Sequence, residues 1–476
     1  MGPTRLIALV ALCGVALVAR PARAQFGREE VPAGYNLGPL GARAEVVPKN
    51  QRPTYKLSTG QSALTVVSVV DGQPGQLAGL AAGDVILGTA AGIFTDKLDP
   101  VYQLAAAIEP LFARPKVGTL ALSVWRGGKV IPLSVSLGGH GPKWADTLAD
   151  ASLTYLVGQQ DSDGSFPSAM ISNNAKVAVT ALSGLALIAA EGIRGPRASA
   201  IALAKDYLLT AAGVENERAG GGLGGAGNWS QVNWSLGYGT LFLAEYAAQT
   251  QDPAVLARLA ELCQQIAKNQ ETNGGWAHGP GGPNALGYTD FAAVTNVVLA
   301  GYGAAGKVKV ALAPTVIAKA TSYLVATASG DGGIGYSQRD GQRGMGDPGR
   351  TAATMFAFAM TGQTGNPFFG RMASYFKRHL AEVPEGHASP VYHFGFGALG
   401  AYEAGLERDF LAVFRPELLM ARNADGSFAP RPSQEQKMMR SSSDGSMGAC
   451  WTTGSYLLVW NLGRGHLSLF AKKPKR

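Results

Sequence analysis

Four stretches of this chain end a helical apolar pattern in the same way. Residues 155–166 read YLVGQQDSDGSF, 266–276 read IAKNQETNGGW, 323–336 read YLVATASGDGGIGY and 418–428 read LLMARNADGSF. Each runs from an apolar helix end through a polar and glycine-containing turn to an aromatic, and each precedes another helical pattern. The matched glycines, Gly164, Gly274, Gly332 and Gly426, lie 110, 58 and 94 residues apart. Glycine supplies the backbone freedom of a helix stop, and the aromatic can pack back over the turn. A turn recurring at the spacing of one or two helix pairs signals stacked repeats, because one pair cannot bury both of its faces alone.

The helical patterns run from Trp144 to about residue 462 and number about twelve, or six pairs, which suits a closed ring. Small residues crowd 178–190 and 292–306, as inner helices of a ring require. The repeated turn resembles the QW repeat of squalene and terpenoid cyclases and of prenyltransferase-like toroids. That resemblance implies an all-α (α6/α6) toroid of six helical hairpins over 145–465. Inner helices are expected to start near Asn174, Gln231, Leu286, Pro348, Ser389 and Ser446.

Residues 1–24 read as a secretory leader: Arg5, an apolar run from Leu6 to Ala19 too short to span a bilayer, then Ala22-Arg23-Ala24 as a cleavage site. The expectation is an exported protein, periplasmic or extracellular, starting at Gln25, with no transmembrane segment after removal of the leader. The formal net charge of +8 falls to +5 once Arg5, Arg20 and Arg23 leave. Much of the remainder sits in the terminal Lys472-Lys473-Pro474-Lys475-Arg476, so the body carries no basic face for nucleic acid. The basic tail, 466–476, reads as a solvated end. Cys263 and Cys450 are too few to staple a scaffold, and 46% hydrophobic content over this length permits two cores.

Before the toroid, the order is strand (64–70), short helix, strand (82–87), helix (99–108, opened by Asp99-Pro100), then a hairpin about Gly127-Gly128. With 72–87 reading GQPGQLAGLAAGDVIL, residues 33–138 resemble a PDZ domain, giving a multidomain chain: a small α+β PDZ-like domain, a linker at 139–144, and the toroid. PDZ domains capture an extended peptide at a sheet edge beside a helix. By that resemblance Leu37, Gly38, Leu40 and Gly41 form the carboxylate loop, and Leu104 and Ile108 line the side-chain pocket. The alternative is a degenerate form that packs against its neighbour domain.

In a toroid the inner-helix N-termini and their loops make the natural ligand mouth. Those loops carry Trp229, Trp234, His278, Asp290, Asp347, Arg350, His393 and Trp451. The indoles offer stacking area, Arg350 a fork for a carboxylate or phosphate, and His278, Asp290, Asp347, Arg350 and His393 are the candidate catalytic groups. Asp347-Pro348 also reads as an ordinary helix start, with Asp as N-cap and Pro at N1. His393, Asp444 and Cys450 are of types zinc accepts, but their order and spacing differ from the zinc prenyltransferases, so no metal or other cofactor is expected.

The motifs of cyclases, of class I terpene synthases and of thioester domains are absent. Asn36-Leu37-Gly38-Pro39, Leu243-Ala244-Glu245-Tyr246, Thr250-Gln251-Asp252, Gly275-Trp276-Ala277-His278 and Gly386-His387 resemble an uncharacterised bacterial family joining a PDZ-like domain to such a toroid. That resemblance implies architecture and no activity. The leading expectation is an exported non-catalytic binding protein. Its PDZ-like domain would engage a protein or peptide segment, and its toroid mouth a second partner, small molecule or glycan. The alternative is an enzyme using the cleft on a carbohydrate or isoprenoid.

Overall fold

The computed structural model describes residues 33–170, 172–215, 230–280, 290–339, 341–439 and 442–470. The leader, Trp229 and the last residues of the basic tail lie outside them.

The N-terminal part is a small antiparallel sheet domain. It contains β1 (Tyr35–Leu37), β2 (Ala42–Val46), β3 (Leu64–Val69), α1 (Pro74–Leu77), β4 (Val85–Thr89), β5 (Gly92–Ile93), α2 (Pro100–Phe112), β6 (Val117–Arg126) and β7 (Lys129–Gly138). The sheet runs β1-β2-β3-β4-β6-β7, with β5 on β4. Gly127 and Gly128 both take positive φ at the β6–β7 hairpin, as its tight turn demands. The Asp99 carboxylate accepts the Val101 N–H at 2.9 Å and so caps α2, which buries Leu104 and Ile108 in the sheet's core.

The helical part contains α3 (Trp144–Gly158), α4 (Asn173–Glu191), α5 (Ala198–Ala211), α6 (Val232–Thr250), α7 (Pro253–Lys268), α8 (Ala292–Lys307), α9 (Pro314–Thr327), α10 (Pro348–Met360), α11 (Pro367–Arg378), α12 (Pro390–Glu403) and α13 (Glu407–Ala421). The short α14 (Gln434–Met439) and α15 (Ser443–Met447) then lead to α16 (Ala449–Asn461). Helices α4, α6, α8, α10, α12 and α16 each touch the next, and α16 returns to α4. Each is backed by an outer helix: α5, α7, α9, α11, α13 and α3 respectively. This is a closed (α6/α6) toroid. Helix α4 is long and apolar enough to cross a membrane by length and composition, but it is an inner helix of this ring and largely buried.

The recurring turn closes the ring. Gly164, Gly274, Gly332 and Gly426 all have positive φ. A Cβ on Gly164 would lie 2.2 Å from the Leu203 carbonyl of α5, and one on Gly426 2.9 Å from Ala151 of α3, so the last turn docks onto the first helix. A second repeat runs beneath it. The N–H groups of Phe166, Trp276, Ile334 and Phe428 donate to the hydroxyls of Thr180, Thr295, Thr351 and Thr453 at 2.9 to 3.1 Å. In the third turn Ile334, not Tyr336, therefore takes the buried place, and Tyr336 is left for the mouth.

Helix α8 starts at Ala292, after the extended Phe291 with φ −161° and ψ 156°, and Leu286, where a start was expected, lies outside the described residues. The toroid continues past its expected end at 465. The Ser468 and Leu469 amides donate to the buried Glu245 carboxylate at 2.6 and 2.9 Å, and Phe470 packs on Phe356. Residues 466–470 thus cross the C-terminal ends of the inner helices. Cys263 and Cys450 are buried free thiols, each pushed up to about 12 by burial.

Candidate functional site

The N-termini of the six inner helices share one end of the ring. Asp347 opens α10, and its Oδ1 accepts the Arg350 N–H at 2.7 Å. Pro348 at N1 is pre-shaped for that start. One turn on, Arg350 returns its guanidinium to within 3.9 Å of Asp347 Oδ2 and donates to the Met345 carbonyl at 3.3 Å. From α12, the His393 ring brings Nδ1 to 3.1 Å from Asp347 Oδ1, out of hydrogen-bonding alignment, while Nε2 donates to the His387 carbonyl at 3.1 Å. The three residues are 8%, 6% and 2% exposed. A slot between two glycines makes the imidazole fit: a Cβ on Gly349 or Gly386 would lie 2.1 or 2.2 Å from it.

Burial alone would raise the Asp347 carboxyl. The neighbouring His393 and Arg350, with the Arg350 amide, instead hold it well below the usual carboxylate range. It stays ionised at physiological pH.

An aromatic wall continues from this cluster. The Arg350 guanidinium lies 5.6 Å from the Tyr336 ring centre, and Tyr336 stacks on Phe291 at 5.4 Å and 10°. Phe291 meets His278 at 4.7 Å, and the Trp234 indole N–H donates to His278 Nδ1 at 2.9 Å. Trp234 reaches across the ring to Tyr392 on α12 at 6.2 Å, and Tyr392 meets His393 at 5.2 Å. The result is a closed circuit of rings and fixed charges. Burial lowers His278 to about 4, so at pH 7 it is neutral, and because Nδ1 accepts, its proton sits on Nε2.

Below the circuit the axis is filled. Tyr238 on α6 meets Phe396 on α12, the facing helix, at 6.2 Å and Trp451 on α16 at 5.8 Å. Phe356 continues the stack to Phe396 and Phe470. Trp451 donates its indole N–H to Asp444 at 3.0 Å and serves as floor.

Three of the expected groups, Asp347, Arg350 and His393, therefore meet directly, and His278 and Trp234 join them through the aromatic circuit. Asp290 does not: it accepts from Asn273 at 2.8 Å and lies beside Tyr323 of the outer layer. Phe291, Tyr336, Tyr392, His387 and Asp444 complete the mouth. Asp444 accepts from Ser389, from the Val391 N–H at 3.3 Å and from Gln436 at 3.5 Å, tying α15 to α12. Among the described residues no three His, Cys, Asp or Glu side chains are grouped to hold a metal ion.

Of the residues read as a peptide groove, Leu37, Gly38, Leu40, Leu104 and Ile108 are buried, and Gly41 turns at the end of the loop with φ +62°. The β2 edge beside them is paired with β1.

The chain is thus a sheet domain joined to an (α6/α6) toroid with an aromatic and charged mouth. It belongs to the family described as "Domain of unknown function (DUF6288)", which matches residues 167–471. No curated protein matches it in sequence. Similar solved structures include the GH76A α-1,6-mannanase from Salegentibacter sp. HEL1_6, at 13% identity and TM-score 0.48, over 67% of this chain and 98% of that one. Another is the family 76 glycoside hydrolase (mannosidase) Bt3792 from Bacteroides thetaiotaomicron VPI-5482, at 10% and 0.47, over 67% and 99%. A third is the type II terpene cyclase MstE from Scytonema, at 15% and 0.42, over 68% and 99%.

Proposed function

We propose that the toroid mouth is a carbohydrate site of an exported protein. The observation that carries this reading is the closed circuit of aromatic faces and fixed polar groups above a filled axis. Partly exposed Trp234 and Tyr336 offer flat apolar faces, while the Arg350 guanidinium offers donors beside them. Sugars present an apolar face ringed by hydroxyls, so this alternation suits them. An isoprenoid chain needs a deep apolar cavity, and the Tyr238, Phe396, Trp451 and Phe356 layers occupy that space.

The convergence of Asp347, Arg350 and His393 favours a second reading, catalysis on the same ligand. The binding reading is preferred because these groups are buried against one another. Asp347 caps a helix as an ionised group, and both His393 nitrogens face oxygen atoms of the chain. Proton transfer needs a group with a lone pair or proton to spare. The test is thermal shift and calorimetry against mannose-, glucose- and uronate-based oligosaccharides, followed by mass spectrometry of the same mixtures. Binding that Tyr336→Ala and Trp234→Ala each weaken at least about tenfold, without products, supports the binding reading. Shortened products support the enzyme. No shift with any saccharide sinks both.

A further inference from the structure

We propose that the sheet domain holds the end of α13 as an internal ligand, and that Arg431 transmits this docking to the wall of the toroid mouth. The edge of β2 where an extended peptide would add is taken by β1, in the register Tyr35↔Ala44, Asn36↔Arg43 and Leu37↔Ala42. Helix α13 packs against both β1 and α2. Its Leu419 and Met420 belong to the sheet domain's core rather than to the toroid's. The loop after β1 is covered by main-chain carbonyls: a Cβ on Gly38 would lie 1.8 Å from the Arg422 oxygen and 2.8 Å from that of Met420. The Asn36 amide donates to the Ala421 carbonyl at 3.0 Å and to Asn423 Oδ1 at 2.8 Å. A carbonyl of this chain thus stands where a bound peptide's carboxylate would, and the domain's partner is its own toroid.

The seam is polar as well as apolar. Tyr102 donates to the buried Glu417 at 3.1 Å. Arg431 donates to Asp99 at 2.6 Å, with its guanidinium 4.4 Å from the Tyr35 ring centre and 5.6 Å from that of Tyr102. Four residues further on, Glu435 is at the mouth. Its Oε1 lies 2.6 Å from His387 Nδ1, and its Oε2 accepts the Ala388 N–H at 2.9 Å. Gln436 donates to the Ala388 carbonyl at 3.1 Å. Ala388 has φ +69°, a left-handed conformation that a non-glycine residue holds only when its surroundings impose it. His387 in turn meets Tyr336 at 5.3 Å. One short segment is therefore anchored in the sheet domain at Arg431 and fixes a strained residue of the mouth at Glu435.

The test is amide exchange on the full chain, which needs no mouth ligand and so stands or falls apart from the carbohydrate reading. Arg431→Ala should speed exchange across residues 386–389 at least about tenfold. Asp99→Asn keeps an acceptor for the Val101 amide and should do the same to a smaller extent, which covers the case where Arg431→Ala does not fold. Lys129→Ala, on the far hairpin, should change nothing there. Unchanged exchange at 386–389 in a folded Arg431→Ala or Asp99→Asn protein overturns the coupling. Capture of carboxylate-terminated peptides by the unaltered protein, with protection of residues 37–46, overturns the internal ligand.

Discussion

The mouth and the interdomain seam are built from the same parts and shift their buried acids in opposite directions. At the mouth Arg350 faces Tyr336 beside Asp347; at the seam Arg431 lies between Tyr35 and Tyr102 beside Asp99 and Glu417. Burial raises both buried acids. At Asp347 the neighbouring His393 and Arg350 and a helix N-terminus outweigh it, and the carboxyl is held low. At Glu417 burial wins over Arg431 and the Tyr102 hydroxyl, and the carboxyl is pushed up. Glu417 sits in the last turns of α13, where the helix dipole disfavours an anion; Asp347 caps α10, where it favours one. The same residue types give a fixed charge or a reluctant one according to which helix end carries them.

The strongest way to break this contrast is Asp347→Ala. It removes the cap and leaves Arg350 and His393 buried without their anion, so a loss of about 3–5 kcal/mol is expected in denaturant unfolding. Asp347→Asn, which retains an acceptor for the Arg350 amide, should lose less. If Asp347→Ala costs under about 1 kcal/mol, the carboxylate does not organise the mouth.

Acid sharpens the comparison at the next level. His278 is lowered to about 4 in the fold, so the folded state binds fewer protons than the unfolded chain below its ordinary value. Its contribution is present above about pH 6.5 and is lost as pH falls towards 4, by about 2 kcal/mol at pH 5. Melting curves from pH 7 to 5 should show that slope, and His278→Gln should flatten it. An unchanged slope in the variant places the acid sensitivity elsewhere.

How much of this was legible follows from the range of each interaction. The repeated turns were readable because each is local: Gly164 and Gly426 end helices within a few residues of their own signals. The cap at Asp347-Pro348 was readable for the same reason. The threonine acceptors were hidden because Thr180, Thr295, Thr351 and Thr453 lie at unequal distances from their turns, within helices whose period shows only burial. Tyr336 was misplaced because Ile334 is no less suited to the buried place, and only the ring's geometry chooses between them. The seam was least legible. Asn36 meets Ala421, and Tyr102 meets Glu417, across more than 300 residues, and no pattern in either segment announces the other. The sheet domain's elements were recognisable, and packing against the neighbour domain was one of its two readings, but the residues that meet there were not legible.

The smallest expected effect is also the one of opposite sign. Glu417 has a folded-state value above its unfolded one, so any stability it contributes is present at acid pH and is lost as pH rises through the folded value. Ionising the carboxyl is therefore a cost to the seam rather than a support. Glu417→Gln keeps the side chain's length and an acceptor for the Tyr102 hydroxyl while removing that cost. The variant should be as stable as the parent or more so by about 0.5–1 kcal/mol at pH 7, with the gain shrinking towards pH 4.5. Arg431 and Asp99 remain paired in it, so the docking itself should persist. The same exchange of charge for amide at Asp347 should instead destabilise at pH 7. Two substitutions of one kind with opposite signs are what the two helix ends require. If both lose stability equally, Glu417 is a charged anchor of the seam like Asp347 at the mouth, and the contrast between the two regions disappears.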